Sequence, residues 1–263
     1  MDTAARAAPA ARAPYAERPS THVPAVVWTA TPAPGPQVIL PDGCMDVIWT
    51  GEGLLVAGPD TGPVTYGGAP VGARLTALRL APGVAPSLLG ERADLLGDAR
   101  VDLAALWPGD RVAVWTSALA ASPRPDRTLE HLVAARLDER PPPTWAAPLA
   151  ARMAAGDDVR RTAHDLGLGE RTLRRLAREH VGYGPKLLQR VLRLQRTLAA
   201  LRRGDDPSRV AADEGYADYA HLFRDVRALT GRRPTEFRPV GSGQAGSAAY
   251  RSTPLPSGSA TEA

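Results

Sequence analysis

The chain has 263 residues, 44% apolar and only 5% aromatic, so its cores must rest on Leu, Val and Ala in about two domains. Its net charge is +4, yet Asp157 to Val240 carries 18 basic and 12 acidic residues against 14 and 16 elsewhere, a basic module behind a mildly acidic one. A single cysteine excludes an internal disulfide or a Cys-rich zinc site, and no run approaches the ~18–20 apolar residues of a membrane span.

Residues 1–20 are rich in Ala, Arg and Pro, lack the apolar h-region of a secretory signal and read as a disordered arm. A cytoplasmic protein without a membrane partner is the expectation. Residues 21–140 read as a β-rich regulatory domain. Short apolar or alternating runs at Val26–Trp28, Val38–Leu40, Val47–Trp49, Leu54–Val56 and Leu75–Leu80 predict strands. Turn clusters at Pro41-Asp42-Gly43, Gly51-Glu52-Gly53, Gly58-Pro59-Asp60 and Gly67-Gly68 separate them, which suggests a small sandwich or barrel extending to about residue 115. Ser87 to Trp107 is more helical in pattern, and a helix is predicted over 126–138, stopped by Pro141-Pro142-Pro143.

Beyond the prolines, residues 141–240 read as all-helical, with helices predicted at 145–155, 158–166, 170–181, 185–203, 208–214 and 218–230 and a turn at 234–238. Residues 241–263 read as a disordered Gly/Ser/Ala/Pro tail. Val159 to Leu176 and Ser208 to Val226 share one pattern: a short helix centred on Ala163 or Ala211, then Gly167 or Gly215, then an amphipathic helix. That is helix-turn-helix grammar, since the alanine permits close helix approach and the glycine ends the first helix in a left-handed conformation. In the second helices, Leu173, Leu176, Ala177 and Val181, and Leu222, Val226 and Leu229, form buried stripes. Opposite them lie Arg171, Thr172, Arg174, Arg175 and Arg178, and Tyr219, Ala220, Phe223, Arg224 and Arg227. Arginine forks suit guanine edges and phosphates, and Phe or Ala suits a thymine methyl.

From about Trp145 to Arg238 the sequence resembles the DNA-binding domain of AraC/XylS-type transcription regulators. Pro185 to Leu198 resembles their linker helix, Gly215 to Arg224 their second recognition helix, and Gly231 to Arg238 their closing signature. The resemblance implies double-stranded DNA contacts at Arg171, Thr172, Arg174, Arg175, Tyr219, Ala220, Phe223 and Arg224. It also implies a bipartite site read in successive major grooves, about one turn (~34 Å) apart. RNA polymerase and a second copy of the chain are the partners it allows, with an activator or a repressor as the two outputs the sequence leaves open. Two positions depart from the family pattern: Gly169 stands where Ser or Thr usually caps the helix, and Leu222-Phe223 stands for Phe-Ser.

Leu40 to Trp49 and Leu80 to Pro86 resemble the region that precedes this domain in a group of actinobacterial regulators. That similarity implies a β-rich, cupin-like domain for sensing a small-molecule effector or for dimerisation. The whole chain is therefore expected to be α+β, a β-rich domain followed by an all-α double helix-turn-helix. Cys44 reads either as a redox or electrophile sensor or as a small packed residue. Asp42 and Asp46 read either as effector contacts or, for Pro-Asp-Gly, as a turn. The five tryptophans suit core packing or a pocket wall, and the five histidines have no ligand spacing. An enzyme, for instance a DNA alkyltransferase fused to such a regulator, would need further cysteines and a nucleophilic Cys-His pair. No Ser/His/Asp set, phosphate loop, cofactor motif or metal spacing is present in the sequence.

Overall fold

In the N-terminal half, alternating side chains sort into two environments and so build one antiparallel sheet. The computed structural model describes residues 15–32, 36–66 and 73–239. Six strands pair in the order β1-β2-β7-β4-β5-β8: β1 (Tyr15–Pro19), β2 (Ala25–Ala30), β4 (Met45–Trp49), β5 (Leu54–Ala57), β7 (Leu75–Leu80) and β8 (Arg100–Asp102). Between them in sequence, β3 (Gln37–Ile39) and β6 (Val64–Tyr66) form a separate two-stranded ribbon. Among the described residues no ladder joins β1 to β8, so the sheet is open and not a closed barrel.

One face of the sheet sends Val27, Val47, Trp49, Val56, Leu78 and Leu80 into the main core. It is covered by α1 (Ala85–Leu89), α2 (Gly109–Ala121) and α3 (Pro125–Glu139), which add Leu88, Trp115, Leu119, Leu129 and Val133. Each such fully buried side chain contributes roughly 1.5–3 kcal/mol of transfer free energy. The other face bears Trp28, Asp46, Ile48, Leu55, Ala57, Arg79 and Arg100, which line a cavity. The period of two dictates this: Asp46 lies opposite Arg79 and Ala57, and Ala57 opposite Arg100, so all four share a face.

Two N-terminal expectations need correction. Tyr15–Pro19 is an edge strand and not part of a disordered arm, because its side chains find distant partners. Tyr15 stacks on Trp28 with ring centroids 6.2 Å apart, and Arg18 Nη2 donates to Glu130 Oε2 on α3 at 2.6 Å. Residues 1–14 and 241–263, the rest of the predicted arm and the tail, lie outside the described residues. The strand-and-turn region does not reach about residue 115 as expected: Gly109–Ala121 is helix α2, in which only Trp115 and Leu119, four apart, are buried. Within Ser87 to Trp107 the helical pattern resolves into the end of α1, two 3-10 turns and β8.

The C-terminal half is helical throughout: α4 (Ala146–Ala155), α5 (Val159–Asp165), α6 (Glu170–Val181), α7 (Pro185–Arg203), α8 (Pro207–Asp213) and α9 (Tyr219–Thr230), closed by a 3-10 turn at Pro234–Phe237. Leu149, Met153, Leu173 and Val191 gather in one core, and Val210, Leu222, Val226 and Phe237 in another. The 19-residue α7 feeds both, giving Leu188 and Leu192 to the first and Leu194 and Leu198 to the second. The fold is thus α+β as expected, a β-rich domain followed by an all-helical one.

Candidate nucleic-acid interface and internal cavity

The two helical repeats are built alike, down to their hydrogen bonds. Asp158 and Asp206 cap α5 and α8, each accepting from two backbone N–H groups of the first turn. Gly167 and Gly215 then turn the chain at φ +66° and +73°, where a Cβ would be strained. Immediately after them Leu168 N–H donates to Ala163 O, and Tyr216 N–H to Ala211 O, both at 2.9 Å. Gly169 leaves α6 without a side-chain cap, whereas Asp218 caps α9 by accepting from His221 N–H at 2.6 Å.

The burial of α6 and α9 separates their faces as the periodicity predicts, except that Leu176, expected in the stripe, is only half-buried. Leu173, Ala177 and Val181, and Leu222, Val226 and Leu229, are buried. Arg171, Thr172, Arg174, Arg175, Tyr219, Ala220 and Arg224 are exposed, while Phe223 is half-buried with its ring edge-on to Tyr219. The arginines differ in availability. Arg174 is paired with Glu170, and Arg175 with Glu179 at 2.8 Å, both one turn away on α6. Among the described residues, Arg171 and Arg224 have no ion pair.

One joint fixes α9 relative to α7. Asp225, buried on α9, accepts from Arg190 Nε at 2.8 Å and from Arg193 Nη2 at 3.1 Å. Arg193 also lies over the Tyr216 ring, 4.0 Å from its centroid. Periodicity alone did not reveal this pairing; a lone acid on the apolar side of α9 was the available signal.

The second face of the sheet and the β3–β6 ribbon line a partly open cavity of about 430 Å³. Asp42, Cys44 and Asp46, expected as effector or redox residues, all line it. Trp28, Asp60, Arg79 and Arg100, none of them a site residue expected from the sequence, add to its polar wall, as do Thr31, Gln37, Thr50 and Tyr66. Trp28 Nε1–H donates to Asp46 Oδ1 at 2.7 Å, and Arg79 Nε lies 3.1 Å from Asp42 Oδ2 and 3.6 Å from Asp46 Oδ1. Arg100 grips both oxygens of Asp60 at 2.8 and 2.7 Å. Burial, reinforced by Asp42, pushes the Asp46 carboxyl up to about 6 against the pull of Arg79 and Trp28. Burial also pushes the Cys44 thiol well above its ordinary value, which holds it protonated. Asp42 keeps its turn role as well, accepting from Cys44 N–H at 2.9 Å.

The same loop meets the helical domain. Leu40 packs in the core of the second repeat, Pro41 O accepts from Gln195 on α7 at 2.5 Å, and Gly43 rests against Leu188 and Leu192. Elsewhere Pro59 lies against Gly182 at the end of α6, and Arg92 is 3.9 Å from Glu179. Among the described residues no cluster could hold a metal ion, and no helix is long and apolar enough to cross a membrane.

Two matched repeats joined by one long helix, each presenting a polar, arginine-bearing recognition face, define a double helix-turn-helix protein with a β-rich domain in front. Comparison with known proteins agrees: residues 162–239 match the helix-turn-helix domain family, and residues 21–102 match a domain of unknown function, DUF6597. The C-terminal domain is of the AraC/XylS type, and the chain is a DNA-binding transcription regulator. No curated protein matches the sequence. Among solved structures, an apo variant of ToxT from Vibrio cholerae strain SCE256 is similar at 10% identity and TM-score 0.44, covering 82% of this chain and 97% of that one. Unsaturated fatty acid-bound wild-type ToxT from the same strain is similar at 8% identity and TM-score 0.40, covering 78% and 94%.

Proposed function

We propose that this chain is an effector-responsive regulator, with residues 141–240 binding a bipartite site on double-stranded DNA and the preceding domain, from Tyr15 to residue 140, sensing a small molecule. The observation that carries the reading is the 40–44 loop, which lines the cavity through Asp42 and Cys44 and touches the linker helix through Pro41 and Gly43. A ligand that moves this loop changes the seat of α7, and α7 sets the separation of α6 and α9. Phosphate contacts position the domain, and the recognition helices read bases. Arg171 and Arg224 enter DNA without breaking an ion pair. Arg174 and Arg175 exchange an intrahelical partner of about 0.2–0.5 kcal/mol for a phosphate or a base. Thr172, Tyr219, Ala220 and Phe223 complete the reading surface.

The resemblance adds RNA polymerase and a second copy of the chain as partners, and the cytoplasm as the place of action; in vitro transcription and sedimentation test the two partners. Selection of bound DNA from a random pool tests the main reading, with two conserved half-sites as the expected product. Arg224→Ala should then weaken binding by about 1–3 kcal/mol and relax sequence preference in one half-site only. A single undivided motif, or an unchanged affinity, contradicts the assignment.

A further inference from the structure

The cavity's charges select among ligand classes. Three carboxylates, Asp42, Asp46 and Asp60, face two guanidiniums, so the wall holds one acid in excess. Both cations are engaged: Arg100 with Asp60 through a two-pronged pair, and Arg79 between Asp42 and Asp46. An anionic ligand would have to displace one of these pairs and then sit among the freed carboxylates. Asp46 offers the opposite. Its Oδ1 takes the Trp28 N–H, whereas its Oδ2 accepts no hydrogen bond from any described residue. Ile39, Ile48, Leu55 and Leu75 give the wall an apolar stretch, beside the neutral polar Thr31, Gln37, Thr50 and Tyr66. A volume near 430 Å³ lies within the ~300–1,000 Å³ of small-molecule sites.

We propose that the cavity takes an organic cation, an amine or amidine on an apolar body, with Asp46 Oδ2 as its counter-ion and the Trp28 ring beside it. This rests on the cavity being the effector site. The cation meets Asp46 Oδ2 through a charge-assisted hydrogen bond. Burial, with Asp42 beside it, raises the Asp46 carboxyl above its ordinary value, a shift that a cation bound at Asp46 opposes. Because Arg79 bridges Asp46 and Asp42, a cation at Asp46 competes with Arg79 and releases it toward the 40–44 loop.

Calorimetric titration of the full chain with phenylpropylammonium, phenylpropanol and phenylpropanoate tests the assignment. The ammonium should bind at least about tenfold more tightly than the alcohol, and the carboxylate most weakly. Asp46→Asn should remove the ammonium's advantage and leave the alcohol within about twofold. Ile48→Trp, which fills the cavity, should abolish binding of all three. If the alcohol or carboxylate binds best and Ile48→Trp still abolishes it, the cavity stands and the charge assignment falls. If none of the three binds at millimolar concentration, both fall. The wild-type series decides by itself should Asp46→Asn fail to fold; an ammonium advantage that survives a folded Asp46→Asn also overturns the proposal.

Discussion

Asp225→Ala probes the joint between the two DNA-reading units. In the native protein the carboxylate is 5% exposed and both its oxygens are occupied from α7. Arg190, 43% exposed, regains water when the acid is lost, so its share shrinks to the ~0.2–1 kcal/mol of an exposed pair. Arg193, 18% exposed and held over Tyr216, keeps its place and loses a charged partner, a loss of about 1.5–3 kcal/mol. The total is about 2–4 kcal/mol, with Asp225→Asn losing less because it retains an acceptor. Urea denaturation should show that loss. Hydroxyl-radical footprinting on the selected DNA should show protection persisting over the half-site read by α6 and fading over the one read by α9. Unchanged stability together with an unchanged footprint would refute the claim that this joint fixes the second unit.

Other outcomes follow from the same geometry. Gly43→Ala, at φ +87° and with its new Cβ 3.3 Å from Leu188 Cδ1, should destabilise the chain by about 1–2 kcal/mol in calorimetric melting. Cys44 should resist iodoacetamide in the native protein and react after unfolding; rapid native labelling with loss of DNA binding would restore the sensor reading. Glu130 is held at about 2: burial raises it, but hydrogen bonds from Arg18, Ser20 and Thr21 outweigh that. Because its folded value is depressed, its contribution is full above the ordinary 4.5 and is lost as pH falls toward 2. Glu130→Gln should flatten acid unfolding across that window when followed by tryptophan fluorescence.

The helical half was legible because its signals are local. Gly184 and Gly204 bracket an unbroken apolar stripe, so α7 falls at Pro185–Arg203 as predicted. Turn glycines placed α5–α6 and α8–α9 in the same way. The sheet's second face was not legible, since its meaning lies in register. Arg79 sits within the apolar run Leu75–Leu80 and acquires a role only opposite Asp46. Asp60 follows Gly58-Pro59 as turn punctuation, yet its partner Arg100 is forty residues on. The cavity residues found early, Asp42, Cys44 and Asp46, were flagged by a turn and a family resemblance. Tyr15–Pro19 was obscured by its flank, because Ala, Arg and Pro around it resemble an unstructured lead-in.

The fit of Pro41 and Gly43 against α7 also limits what can be recombined. A hybrid that joined this β-rich domain to another regulator's helices would inherit the loop without the surface that receives it. On the effector reading proposed above, the foreign half would be deaf to the ligand. A graft that keeps this contact must carry Leu188, Leu192 and Gln195 along with the β-rich domain, so the natural cut lies within the helical domain and not at the prolines between the two halves.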